Sequence, residues 1–558
     1  MAKAIKTGIK AAIFVAIGIG LGAALGPAGF SAFFPTILGA TGQILATAVM
    51  TTIGVLLSKP MNNPTAENFG SKITRISAIA PRQIIYGETK VGGTIVYAKS
   101  SGTDNSFLNI IVAVAGHEIQ SIEKIFLNKT ELTSTTSTID GATVNTVTNS
   151  KFTNTDNPNN LGSGRLIQFI SGLGADNQEM NPYTIAQTDF TSDHDLKGIA
   201  YVHFKMTYDQ SKLAQMPEIT FQVKGKKVYD PRSSSTAWTT NPALIVRDIL
   251  TDTRYGLKAI ASNDSLNEIN DNSSASGNFI SAANACELPV ADSEGSNQNK
   301  FTANGFFNAS TSASESLQGI LSSCAGKVTY VNGQFNIFVG VAQTPSLTIT
   351  DDDLVSEIGV TNSTALGKLQ NTVKPIFVDA SKKFVTTDSP IRNTGKNSSG
   401  SAVNYLNIDT PTGESTSNYK KEMEVKMPFV TNDSQAQRLG QLALNYQRRT
   451  KILEVSTTLK FLELVPGNFV NVTNTRLGFS SKVFEVLAVT TEQSSGENPF
   501  VFCKLVLKEI DNNVFAFNTG SDYLTATGDT QSDDGEVVIS QPTLASNGLS
   551  QGNTNDNG

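Results

Sequence analysis

The chain has 558 residues, with 43 Lys and Arg against 49 Asp and Glu. A net charge of −6 excludes a global basic field for binding nucleic acid. Three widely spaced cysteines, Cys286, Cys324 and Cys503, exclude a disulfide framework and a CxxC metal site, and fit buried apolar thiols. At about 150 residues per domain, this length holds about three or four domains.

Between Lys10 and Lys59 no residue is charged. One bilayer crossing takes about 20 apolar residues, so the run is long enough for two. Gly26-Pro27 and Phe34-Pro35 interrupt it, because proline removes a helix donor and clashes with the preceding turn. The pattern predicts one helix near residues 9–25 and a second near 42–57. Gly18, Gly22 and Gly26 recur every fourth residue, and Ala12, Ala16, Gly20 and Ala24 form a parallel small-residue row. Such rows let helix backbones approach closely in lipid or another dry environment. Phe14, Phe30, Phe33 and Phe34 complete the candidate packing or membrane-facing set. Three readings fit: a secretory signal ending in small residues near Ala23-Ala24, a membrane anchor, or a hydrophobic bundle hidden inside an assembly.

After a polar linker at 61–70, strand signals dominate. Runs rich in branched residues predict strands at 91–97, 109–115, 119–127, 165–170, 199–206 and 219–224. Residues 130–161, rich in Thr, Asn and Ser, read as a loop or a small inserted β element. Asn241-Pro242 caps and starts a helix whose apolar face is Leu244, Ile245, Ile249 and Leu250, with Gly256 placed for a left-handed C-terminal cap. Leu317, Ile320, Leu321 and Cys324 mark a helix over 313–325, ended by Gly326. Strands at 327–331 and 334–339 flank Asn332-Gly333, a strong hairpin signal. A third helix, 433–448, puts Ala436, Leu439, Ala443 and Tyr446 on one face. It leads to a strand at 452–462, a turn at Val465-Pro466-Gly467-Asn468, and strands at 469–472, 483–489 and 505–507. Beyond Asn518 the chain is too polar to fold alone.

Catalytic motifs are missing. His117-Glu118 lacks the second histidine of a zinc-protease helix, since Ser121 stands four residues on, and it reads as a turn histidine. Asp193-His194-Asp195 reads as a solvated loop. Asp351-Asp352-Asp353 lacks the spacing and central glycine of a calcium loop and reads as a turn or helix start. No GxSxG, phosphate-loop or dinucleotide fingerprint occurs. The chain is read as a non-enzyme, with no cofactor and no metal.

Five segments carry a family likeness, in order: PRQIIYGETKVGGTIVY at 81–97, LNIIVAVAGHEIQSIEKIFLN at 108–128, NPALIVRDILTDTRYGL at 241–257, FTANGFF at 301–307, and QRRTKILEV with LVPGNFVNV at 447–472. Together they resemble phage tail-tip hub proteins of the family of the lambda host-specificity (tip attachment) protein J. The resemblance covers roughly residues 81–508. It implies a structural hub, a homotrimer, that closes the distal end of the tail tube and opens for DNA ejection. Implied partners are the distal tail protein, the tape-measure protein, other tail-tip or fibre proteins, phage DNA in non-specific transit and, on infection, the host membrane. The implied location is the virion's distal tail tip, and the host envelope during infection. A lambda-type protein continues into a long receptor-binding region, whereas this chain ends soon after its last hub strand.

The fold class expected is α+β, mainly β. It comprises a hydrophobic helical segment (1–58), a β-rich hub part with a loop-rich insertion (59–235), an α/β domain (236–345), a second β-barrel-like part with one helix (346–517) and a polar tail (518–558). Two other functional classes remain open: a tail-borne enzyme degrading the cell envelope, and a membrane-anchored adhesin.

Overall fold

A computed structural model describes residues 75–76, 80–260, 268–331, 333–362, 369–494 and 500–525. The candidate packing set between Ala12 and Phe34 lies outside the described residues, as does the polar tail beyond 525. Among the described residues no helix is long and apolar enough to cross a membrane.

The first part is built on two sheets. The larger has seven strands in the order Arg75–Ile76, Thr94–Ser101, Phe107–Ala115, Ala200–Thr207, Ile167–Leu173, Ala142–Val147, Ser134–Ile139. The smaller has four: Glu88–Val91, Ile219–Lys224, Ser121–Leu127, Thr130–Glu131. Alternate residues of both enter one core, with Ile110, Val112, Val202 and Phe204 from the first and Ile125, Ile219, Phe221 and Val223 from the second. The opposite face of the larger sheet is covered too, because Ile111 and Tyr201 pack with Met180. That double burial explains why FLNIIVAVA, Asn109 apart, is apolar on both faces rather than alternating. The predicted strand at 91–97 splits at Gly92-Gly93, since a side chain at Gly93 would run into Val112 and the Ala113 carbonyl. The Thr-rich 130–161 stretch contains the hairpin Ser134–Ile139 and Ala142–Val147, which extends the larger sheet.

The middle part packs helices Pro242–Thr251, Phe279–Cys286 and Ala313–Leu321 beside a sheet ordered Glu268–Ile269, Gln334–Phe338, Lys327–Val331. Asn241 caps the first helix, accepting from the Ala243 amide at 3.1 Å, with Pro242 in the first turn as expected. Gly256 is not its left-handed cap. The helix ends at Thr251 with an extended Asp252, and Gly256 is needed because a side chain there would strike the Ile249 carbonyl. The 313–325 prediction becomes an α-helix followed by a 3₁₀ turn, Ser322–Cys324, with Ala325 in the left-handed region at φ 48°. The hairpin has its two-residue link, as Val331 pairs with Gln334.

The last part holds a six-stranded sheet, ordered Leu347–Ile349, Phe469–Asn474, Phe479–Gln493, Val501–Glu509, Lys451–Thr457, Gly359–Asn362, over its own core. The strand expected to run to 462 stops at Thr457. Leu459–Glu463 is 3₁₀ instead, driving Phe461 into the core while Leu459 and Leu462 stay exposed. Helix Asp433–Gln447 departs most from expectation. Every residue from Ser434 to Gln447 is buried, glutamines included, so it is a central rod and not a surface helix with one apolar face.

Candidate functional site

The short strand Gln83–Tyr86, inside the first matching segment, is a shared wall. Ile84 and Tyr86 face the large core of the α/β part, and Ile85 faces the core between the two β sheets. Its partner Gly305–Asn308, within the fourth matching segment, pairs Phe306 with Ile85 and Phe307 with Ile84. It divides its phenylalanines between the same two cores. A period of two, with both faces buried, lets one ribbon belong to two cores.

Polar groups from other segments lock this ribbon. His117 is buried, and its Nε2 accepts from the Ile85 amide at 2.9 Å while Nδ1 donates to the Glu118 carbonyl at 2.7 Å. It is thus a neutral turn histidine, as the sequence suggested. Burial, opposed by the bond to Glu118, brings its pKa down to about 4. Tyr86 donates to Asp248 at 2.5 Å and meets the Tyr255 hydroxyl at 2.8 Å. Lys226 binds Asp248 at 2.7 Å, Asp252 at 3.0 Å and Tyr255 at 2.8 Å. Asp248, Asp252 and Tyr255 all come from the third matching segment. Burial drives the Tyr86 phenol well above its ordinary value, reinforced by the Asp248 charge. Burial works against the Lys226 ammonium, but Asp248 and Tyr255 outweigh it and hold the charge in place. Gly87 sits at φ +62°, where a side chain would strike the Ala303 carbonyl. Asn304 accepts from the Glu88 amide at 2.9 Å and donates to Thr431 at 2.9 Å, tying the ribbon to the last part of the chain.

Two further junctions join the α/β part to the six-stranded sheet. In the fifth matching segment Gly467, at φ +104°, packs on the Phe338 ring, and Asn468 donates to Ser276 Oγ at 2.5 Å. Nearby, Glu485 is buried and accepts from Lys327 Nζ and from the Tyr446 hydroxyl, the latter at 2.7 Å. Lys508, directly opposite Glu485 across the sheet, lies 3.6 Å above the Tyr446 ring. Burial brings the Lys508 ammonium down to about 7, against the pull of Glu485. The glutamines of the central helix complete the lock. Gln435 donates to the Thr302 and Ser323 carbonyls, and Arg392 donates to Gln437 and Gln441.

This arrangement can hold parts of a molecule in fixed register. Among the described residues Cys286, Cys324 and Cys503 are buried, and His194 is engaged by its own loop at Thr191. Among the described residues no group of three His, Cys, Asp or Glu side chains could hold a metal. Asp351–Asp353 forms a 3₁₀ turn closed by a Thr350–Asp353 capping box. Sequence reading missed the Lys327–Glu485–Tyr446–Lys508 cluster. Its signal was a carboxylate inside the apolar strand KVFEVLAV, a position that must find a partner when buried.

Acid should loosen the His117 lock. Its folded pKa lies below the ordinary value of 6.5. Its stabilisation is therefore complete above 6.5 and lost as pH falls toward 4, a change of about 3 kcal/mol. His203 is lowered to about 4 as well, by burial, so it adds to the acid response of the whole chain. Urea titrations of wild type and His117→Gln at pH 7 and pH 4.5 should differ by less at pH 4.5. An equal gap at both values would show that His117 does not titrate as stated.

Residues 312–489 match the family described as "Putative phage tail protein". The chain is 23% identical over 338 residues to the baseplate hub protein pb3 of Escherichia phage T5, covering 58% of this chain and 33% of that protein. It thus spans about a third of the length of this curated relative. Two solved structures align at lower similarity. One, from the virion of a native gene transfer agent particle, is 13% identical, with 80% of this chain and 88% of that chain covered and a TM-score of 0.48. The other, a prophage tail protein of Listeria monocytogenes EGD-e, is 11% identical, with 72% and 84% covered and a TM-score of 0.23. At these scores neither supports a conclusion about the fold. The matched family and the curated relative are a phage tail protein and a baseplate hub protein. The chain is thus similar to a phage tail protein family over residues 312–489 and to a baseplate hub protein over 338 residues.

Proposed function

We propose that this chain is the hub of a phage tail tip, related to the lambda-type tip proteins, and acts as a homotrimer that closes the distal tail tube until DNA leaves. The observation that carries this reading is the 338-residue similarity to a baseplate hub protein, which spans more than half of the chain. The buried junctions support it, because a ring subunit that withstands ejection needs its parts locked in register. On this reading the parts at 59–235 and 346–517 form barrel-like walls of the tube, with the α/β part at 236–345 between them. Neighbours are the distal tail protein, the tape-measure protein and a fibre or spike that docks on the tail beyond 518. The uncharged run within 1–58 stays dry inside the assembly and enters the host membrane on ejection. The helix rows at Gly18, Gly22 and Gly26 supply its packing face.

Cryo-EM of intact particles tests the assembly. Three copies around the distal end of the tube are expected, and absence of the chain from purified particles would overturn the proposal. Deleting residues 1–58 should leave tails assembled while lowering DNA delivery by about tenfold or more, as expected when a required membrane segment is lost. Undiminished infectivity would remove the membrane role alone.

A further inference from the structure

Four arginines are buried among the described residues: Arg247, Arg392, Arg438 and Arg449. Arg247 pairs with Asp271 and Arg449 with Asp511, each at 2.6 Å. Arg392 donates to two glutamine side chains and to the Asp522 carbonyl. Arg438 has no such set. Its Nη2 donates to the Lys300 carbonyl at 2.7 Å, while Nε and Nη1 find no hydrogen-bond partner within the chain. Burial lowers the guanidinium to about 10, with no carboxylate acting against it. Burial also lowers the neighbouring Lys300 ammonium, and Arg438 adds to that effect. Two residues before Lys300, Gln298 Nε2 is a third buried donor without a partner.

The 289–299 hairpin lies beside this site, since its Ser293 bonds Ser434, one helical turn before Arg438. Strands Pro289–Ala291 and Asn297–Asn299 pair only with each other. The ribbon is tied to the rest of the chain by the Ser293 amide to Ser434 Oγ at 3.1 Å, by Thr519 Oγ1 to the Ala291 carbonyl at 2.8 Å, and by a side-chain bond between Ser293 and Tyr523. Of its two acids, Glu294 is exposed, and Asp292 turns inward on its loop and accepts from the Glu294 and Ser296 amides. Unpaired buried donors penalise the closed ribbon, so lifting it relieves them. A weakly hydrated guanidinium beside an ammonium, with no carboxylate of the chain bonded to it, is the chemistry that selects an oxyanion.

We propose that Arg438, Lys300 and Gln298 form an oxyanion receptor under the 289–299 hairpin, filled by a phosphate or by a protein carboxylate when the hairpin lifts. The receptor stands independently of the tail-hub reading.

Calorimetric titration of the full chain with sodium phosphate, at constant ionic strength in chloride, tests it. One saturable site is expected, weakened about tenfold or more in Arg438→Met and severalfold in Lys300→Met. Hydrogen exchange of the 289–299 amides should change on adding phosphate to wild type and not to Arg438→Met. A capped Gly-Glu-Gly peptide that competes with phosphate, where Gly-Gln-Gly does not, assigns the site to a protein carboxylate. Phosphate binding without peptide competition assigns it to a free ion. Should Arg438→Met fail to fold, Lys300→Met and Gln298→Leu give the same comparison. Equal binding in wild type and variants would mean an adventitious ion only, and no saturable binding of either probe would equally overturn the proposal.

Discussion

Replacing Glu485 by glutamine is expected to destabilise the chain by about 3–5 kcal/mol, the cost of breaking a buried ion pair from one side. Glu485 is 2% exposed and accepts from Lys327 on the α/β hairpin and Tyr446 on the central helix, with Lys508 opposite it in the sheet. The amide keeps the shape but removes the negative charge that faces the half-buried Lys327 and the buried Lys508. The loss should be local to the seam between the α/β part and the six-stranded sheet. Hydrogen exchange should rise first in Lys327–Val331 and Phe479–Gln493, before the Phe107–Ala115 strand exchanges. Removing the cations at the same time tests the assignment. Glu485→Gln with Lys508→Met should cost less than the sum of the two single variants, because fewer charges are left unmatched. A double variant as unstable as the sum of its parts would refute the coupling.

Lys508→Met should behave in the opposite way. The ammonium is fully buried, lowered to about 7 by desolvation, with Glu485 and Glu509 raising it and Lys327 and Arg449 lowering it further. The folded value lies below the ordinary one of 10.5. The unfolded chain therefore binds more protons, and stability rises with pH between about 7 and 10.5. The slope is about 1.4 kcal/mol per pH unit, with a full span of about 5 kcal/mol. Lys90, Lys205 and Lys300 are lowered too, so wild type alone mixes several groups. The difference between wild type and Lys508→Met isolates one. Urea midpoints at pH 7, 8 and 9 should climb more steeply for wild type. The variant should be at least as stable at pH 7, since a methionine fills the same volume without a buried charge. Parallel slopes would show that Lys508 remains charged throughout.

Legibility in the sequence followed the range of the interactions involved. The Asn241-Pro242 helix start, the 327–338 hairpin and the Val465–Asn468 turn were readable because their causes are local. A cap, a fixed φ or a tight link lies within a few residues. Gly256 was misread because its constraint is contact with the Ile249 carbonyl, which local pattern does not display. The strand at 452–462 was overextended because Phe461 alternates correctly in sequence yet reaches its core through a 3₁₀ turn. His117 was correctly placed in a turn, but its partner at Ile85 stands 32 residues away.

By itself the sequence determined the mainly β character, the positions of the capped helices, the missing catalytic motifs and the five ordered segments that point to a tail hub. The first two rest on periodicity and turn chemistry, which act over short stretches of chain, whereas the five segments carry a resemblance to a known family. Only the tertiary structure decided that Gln83–Tyr86 divides two cores and that the central helix is buried all round. It alone brought Lys327, Glu485, Tyr446 and Lys508 together, and left Arg438 without a carboxylate partner from the chain. The physical reason is that burial and charge pairing depend on which distant segments meet, and a buried polar residue acquires its role only from the partner that reaches it.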